Sequence, residues 1–132
     1  MSKKEKIVST FNKQIIQFAK SLSEKFEDES YLKKGYYALE ALEMIVPSKI
    51  IELFIHFFSR FKENALSRDI NRLKDNTMKQ GLVELFGKLS DEEYDVGDEI
   101  QVKWNLFDQD ERENVWNYLK LFYQLSDMYK GC

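Results

Sequence analysis

Pro47-Ser48-Lys49-Ile50-Ile51-Glu52-Leu53-Phe54-Ile55-His56-Phe57-Phe58-Ser59-Arg60-Phe61 decides the fold. Read at 3.6 residues per turn, its only polar stripe is Glu52, His56, Ser59 and Arg60, continued by Glu63. A helix that is apolar over most of its circumference must be surrounded by other helices. Pro47 suits the start, because an amide hydrogen has no partner in the first turn. The pattern continues through Ala65 and Leu66, so a central helix is expected over about residues 47–66.

Upstream, Tyr31 to Val46 carries apolar residues at Leu32, Tyr36, Leu39, Leu42 or Ala41, Ile45 and Val46. Pro47 disfavours helical geometry at Val46, so two helices should meet at a corner with almost no loop. Gly35, Ala38 and Ala41 are small enough to let another helix approach. The acidic run Glu27-Asp28-Glu29-Ser30 separates this helix from an earlier one. There Phe11, Ile15, Phe18, Leu22 and Phe26 recur at helical spacing and form one face. A start near Ser9 or Thr10 is expected; residues 1–8 either extend the helix, as Ile7 and Val8 favour, or fray.

Downstream, Ile70 and Leu73 carry a weak pattern. Thr77 can cap a fourth helix with Met78, Leu82, Leu85, Phe86 and Leu89. Residues 90–99 read as an acidic loop that opens on a cap-like Ser90-Asp91-Glu92-Glu93. Ile100, Trp104 and Phe107 fit a short helix, and Val102, Trp104 and Leu106 fit a strand; the helix is the preferred reading. Asp108-Gln109-Asp110-Glu111 is a second cap-like run. The last helix then presents Val115, Leu119, Phe122, Leu125 or Ser126, and Tyr129, widened by Trp116, Tyr118, Tyr123 and Met128. Gly131 can end it in a left-handed conformation. These elements predict an all-α fold: a compact single-domain bundle of five or six helices over residues 1–132.

Composition bounds the function. The 132 residues suit one domain, and one proline and five glycines argue against a turn-rich β fold. A net charge of −3 does not mark a general polyanion binder. Cys132 is the only cysteine, so no internal disulfide can form, and with one histidine the usual zinc sets are out of reach. The run from Ile50 to Phe61 is shorter than the ~20 apolar residues that span a bilayer. No signal peptide is visible at the start. A soluble, intracellular, cytoplasmic chain is expected.

Candidate chemistry is sparse. Glu52, His56 and Arg60 share one helical face, which suits a general base oriented by a carboxylate and equally suits a solvated stripe. No serine, cysteine or second histidine lies at triad spacing. The acids from Asp91 to Glu99 fail the calcium-loop pattern: with Gly97 at the turn, Tyr94 and Val96 stand where ligands belong and Lys103 stands where glutamate belongs. Neither a metal nor a cofactor is expected.

Charge is divided unevenly along the chain. Arg60, Lys62, Arg68, Arg72, Lys74 and Lys79 outnumber Glu63, Asp69 and Asp75, and acids dominate from Glu84 to Glu113. Such a basic segment reads first as an ordinary charged surface; beside the acidic one, it can also steer a protein partner or a second copy. A weaker alternative is nucleic acid held by residues 60–79, although no nucleic-acid signature accompanies them. Tyr37 and Tyr123 fall off the best apolar faces of their helices and are expected to be exposed anchors. The candidate interaction surface is therefore Arg60, Arg68, Arg72, Lys74, Tyr37 and Tyr123.

Three segments carry a family resemblance: Thr10-Phe-Asn-Lys-Gln-Ile-Ile-Gln-Phe, Ala38-Leu-Glu-Ala-Leu-Glu-Met-Ile-Val-Pro-Ser-Lys, and Glu113-Asn-Val-Trp-Asn-Tyr-Leu-Lys-Leu-Phe-Tyr-Gln-Leu-Ser. Together they resemble short helical proteins of nucleocytoplasmic large DNA viruses, which pair an early FNKQ helix with a final tryptophan-containing helix. The resemblance implies viral origin and a structural or host-directed role, and it assigns no functional residue. The expected function is a non-enzymatic protein–protein interaction module, such as a viral structural or assembly component. The alternative is a host-directed effector that binds a partner helix.

Overall fold

A computed structural model of the chain describes residues 2–28, 30–68 and 104–132, leaving aside the side chain of Tyr31. These residues form an all-α bundle, and no strand occurs among them. Helix α1 spans Lys3–Lys25 and α2 spans Ser30–Ile45. Helix α3 spans Ser48–Phe58, a 3-10 turn covers Ser59–Phe61, and α4 is Lys62–Leu66. A short helical turn at 104–106 precedes α5, Gln109–Lys130. The expected helix at 77–89 and the acidic loop at 90–99 lie outside the described residues, as do Ile100 and Val102.

Helix α1 begins at Lys3, ahead of Ser9 and Thr10, because Ser2 caps it by accepting from the Glu5 amide at 3.1 Å. The extension is packed: Ile7 and Val8 are buried beside Phe11. The core forms where α1, α3 and α5 meet. Phe11 lies 5.4 Å from both Phe54 and Phe122, and those two rings are 5.9 Å apart. Ile50, Ile51, Phe57, Phe58 and Phe61 extend this core along the central stretch. Tilted and edge-on aromatic pairs add roughly 0.5–1.5 kcal/mol each to what burial supplies.

The central stretch is not one straight helix. Phe58 leaves α geometry at φ −119°, ψ −2°. The Lys62 amide then donates to Ser59 O, three residues back, and the Phe58 carbonyl receives the Tyr123 hydroxyl at 2.7 Å. A 3-10 turn stacks i over i+3, so Phe61 stays in line with Phe58, and both remain buried.

This hydrogen bond corrects the expectation for Tyr123, which is only 4 % exposed. Trp116 and Tyr123 are seven residues apart, so they share a flank of α5, and the buried arc reaches both. Burial pushes the Tyr123 phenol well above its ordinary value. Met128, expected to widen the inner face, is exposed instead.

The ends of α5 divide expectation and outcome. Asp108 and Glu111 form the capping box: Asp108 accepts from the Glu111 amide at 2.8 Å, and Glu111 accepts from the Asp108 amide at 3.0 Å. Gly131, however, is right-handed at φ −80°. Its N–H donates to Asp127 O, so helical bonding runs through it and no left-handed reversal is needed.

Asn12 ties α1 to the α2–α3 corner. Its Nδ2 donates to Pro47 O at 2.9 Å, while the residue itself is almost fully buried. Among the described residues, three ion pairs brace α5 from outside: Lys25–Glu111 at 2.5 Å, Arg68–Glu113 at 2.5 Å, and Lys62–Asp127.

Candidate interaction surface

Among the described residues, helix α2 packs against α1 and α3. Leu32, Tyr36, Leu39 and Leu42 are half-buried there, as expected. Ile45 and Val46 are not: they are exposed, and Ile45 keeps 76 % of its surface open. Steps of three residues fall short of a full turn, so the series Leu39, Leu42, Ile45 walks off the contact. The opposite face is apolar as well. Tyr37 is 58 % exposed and Met44 is 86 % exposed, with exposed Ala41 between them. Tyr37, Ala41, Met44 and Ile45 stand at i, i+4, i+7 and i+8, which makes one continuous stripe. Val46 prolongs it to the corner.

The stripe is bordered by fixed polar groups. The Tyr36 ring lies 5.4 Å from the Tyr37 ring. A hydrogen bond to the Glu40 carboxylate, with burial adding to it, holds the Tyr36 phenol above its ordinary value. Among the described residues of the expected surface, Tyr37 is thus the one on this apolar stripe.

The basic residues are placed differently. Arg60 is exposed, with its guanidinium 5.1 Å from the Phe61 ring centroid. Arg68 is bidentate to Glu113, both contacts at 2.5 Å. That carboxylate raises the Arg68 pKa, and Arg68 in turn holds Glu113 below the usual carboxylate range. Glu113 therefore neutralises Arg68 and occupies two of its five N–H donors, which weakens it as a phosphate contact. Arg68 also has φ +59°, a left-handed conformation that side chains other than glycine seldom take. Arg72 and Lys74 lie outside the described residues.

His56 is exposed and sits edge-on to Phe57, with ring centroids 4.8 Å apart. Glu52, its proposed orienting partner, accepts instead from the Tyr129 hydroxyl at 3.0 Å. Among the described residues, no group of three or more His, Cys, Asp or Glu side chains is placed to hold a metal ion. Nor, among them, is any helix long and apolar enough to cross a membrane.

Sequence reasoning missed Met44, Ile45 and Val46 as surface residues. The available signal was an apolar pattern on α2 wider than one partner helix can cover. It also missed the charge of α1, whose six lysines face two glutamates for a net of +4 on a chain of −3.

No family model matches the chain, and neither a curated protein nor a solved structure does.

Proposed function

We propose that this chain is a non-enzymatic protein–protein interaction module, and that α2 presents the docking face. The observation that carries this reading is the exposed stripe of Tyr37, Met44, Ile45 and Val46. Large contiguous apolar exposure of this kind is costly in water and marks interaction surfaces. An aromatic and a methionine suit the role, because tyrosine anchors at low entropy cost and methionine adapts to an irregular partner surface. The partner offers an apolar surface of its own, either on another protein or on a second copy of this chain.

The test is a double variant, Met44→Asp with Ile45→Asp. Both side chains are solvent-exposed, so the fold should survive. Sedimentation of wild type and variant over a range of concentrations reads self-association. Parallel capture of binding proteins by the two forms reads a foreign partner. Loss of either association in the variant supports the reading; identical behaviour in both assays refutes it.

A further inference from the structure

We infer that α2 docks on α2 of a second copy of this chain, the two helices antiparallel about a two-fold axis at Tyr37. This rests on the α2 face proposed above and names its occupant. The face supplies both halves of such a contact. Its apolar stripe of Tyr37, Ala41, Met44 and Ile45 is exposed. Lys33 and Glu40 stand seven residues apart on one border of the stripe, so they share a flank of the helix. Both are exposed, and neither belongs to an ion pair among the described residues. Three and four residues away from Glu40 are Tyr36, Tyr37, Glu43 and Met44, so its own helix offers it no cation.

Charge sets the direction. A parallel copy brings Lys33 against Lys33 and Glu40 against Glu40. An antiparallel copy keeps the flank and reverses the order along it, so each Lys33 approaches Glu40 of the second copy. Helix α2 runs from Ser30 to Ile45, and full overlap puts the axis midway, beside Tyr37. At 1.5 Å per residue, Lys33 then lies about 3 Å along the helix from Glu40 of the second copy, within lysine reach, while the two Glu40 residues stay about 7.5 Å apart. Two-fold symmetry makes this pair twice. Tyr36 engages the Glu40 carboxylate and holds it on this border. A carboxylate accepts about four hydrogen bonds, so room remains for the ammonium.

The apolar groups fit the same register. The two Tyr37 rings meet at the axis. Ala41 is small enough to take the aliphatic stem of Lys34 of the second copy, whose ammonium stays in water. Met44 packs along the stem of Lys33 of the second copy. A foreign partner needs an apolar stripe and a reversed charge order of its own, and a second copy brings both by symmetry. At 16 residues, α2 is about 24 Å long. One helix face of that length falls at the small end of specific interfaces, below about 1,200 Å² in total, so the dimer is weak and forms as concentration rises.

Sedimentation equilibrium of the full chain over a concentration series should show monomer and dimer only. Lys33→Glu alone and Glu40→Lys alone should each weaken the dimer by about fivefold or more. An equimolar mixture of the two variants should recover the wild-type affinity, because opposite charges then meet on both borders. Misfolding of either variant cannot produce that recovery, and thermal melts check each fold. Met44→Asp with Ile45→Asp should abolish the dimer. A chain monomeric at every concentration, assemblies larger than a dimer, unaffected single variants, or a mixture no tighter than its components would each overturn the inference. A monomer that still captures a foreign protein through Met44 and Ile45 overturns the second copy alone and leaves the α2 docking face standing. A dimer indifferent to Met44→Asp with Ile45→Asp overturns this pairing and places self-association elsewhere on the chain.

Discussion

Helices α2 and α3 are separated only by Val46 and Pro47, and both are rich in large apolar side chains, yet they meet opposite environments. Helix α3 buries Ile50, Ile51, Phe54, Phe57 and Phe58, because α1 and α5 close over it. Helix α2 packs on α1 and α3 among the described residues and leaves Tyr37, Met44 and Ile45 in solvent. Apolar residues in α3 therefore hold the fold together, and those in α2 are available to another molecule. The buried core and the exposed apolar face therefore differ in their neighbours rather than in their composition.

Truncating one apolar residue in each helix should separate the two most strongly. Phe54→Ala removes a ring packed against Phe11, Phe58, Phe122 and Tyr123. Urea melts should show a loss of roughly 3–5 kcal/mol. Met44→Ala should change stability by no more than about 0.5 kcal/mol. Similar losses for the two would erase the distinction.

A smaller effect is expected where the central stretch bends. Tyr123→Phe removes the hydroxyl that meets the Phe58 carbonyl and keeps the ring, so it should cost roughly 0.5–1.5 kcal/mol by denaturant unfolding. Asp108→Ala should cost about 1 kcal/mol by removing half of the capping box, with a loss of α5 helicity seen by hydrogen exchange.

The smallest effect is electrostatic. Glu111 is held below its ordinary value of 4.5 first by the Asp108 backbone amide and then by Lys25. Glu113 is held below the same value by Arg68. Groups with depressed folded-state pKa values contribute stability above the unfolded value, and that contribution is lost as pH falls through the folded value. Unfolding midpoints should therefore decline as pH drops below about 4.5, less steeply in Glu113→Gln. A flat profile in wild type would remove these contacts from the account of how α5 is held.

The central core was legible because eight residues of the stretch from Ile50 to Phe61 are large and apolar, so almost any rotation buries most of them. The corner at Pro47 and the Asp108–Glu111 box were legible because each rests on local chemistry within a few residues. The exposure of Ile45 and Val46 depends on which side α1 occupies, and no local pattern states that. Tyr123 was misplaced for a related reason: a stripe drawn through Phe122 and Tyr129 understates a buried arc wide enough to include Trp116. The Asn12–Pro47 hydrogen bond spans 35 positions and leaves no periodic trace. Of the expected surface, Tyr37 lies on the exposed stripe, and Arg68 is engaged by an α5 carboxylate whose approach sequence spacing could not show.

The most direct measurement places a photo-crosslinking amino acid at position 44 on α2 and, separately, at the exposed position 124 on α5. Position 44 should give a defined covalent adduct, either to a second copy or to one partner protein. Ile45→Asp should abolish it, and position 124 should give none. Equal labelling at both positions, or an adduct indifferent to Ile45→Asp, would contradict the claim that α2 carries the docking face.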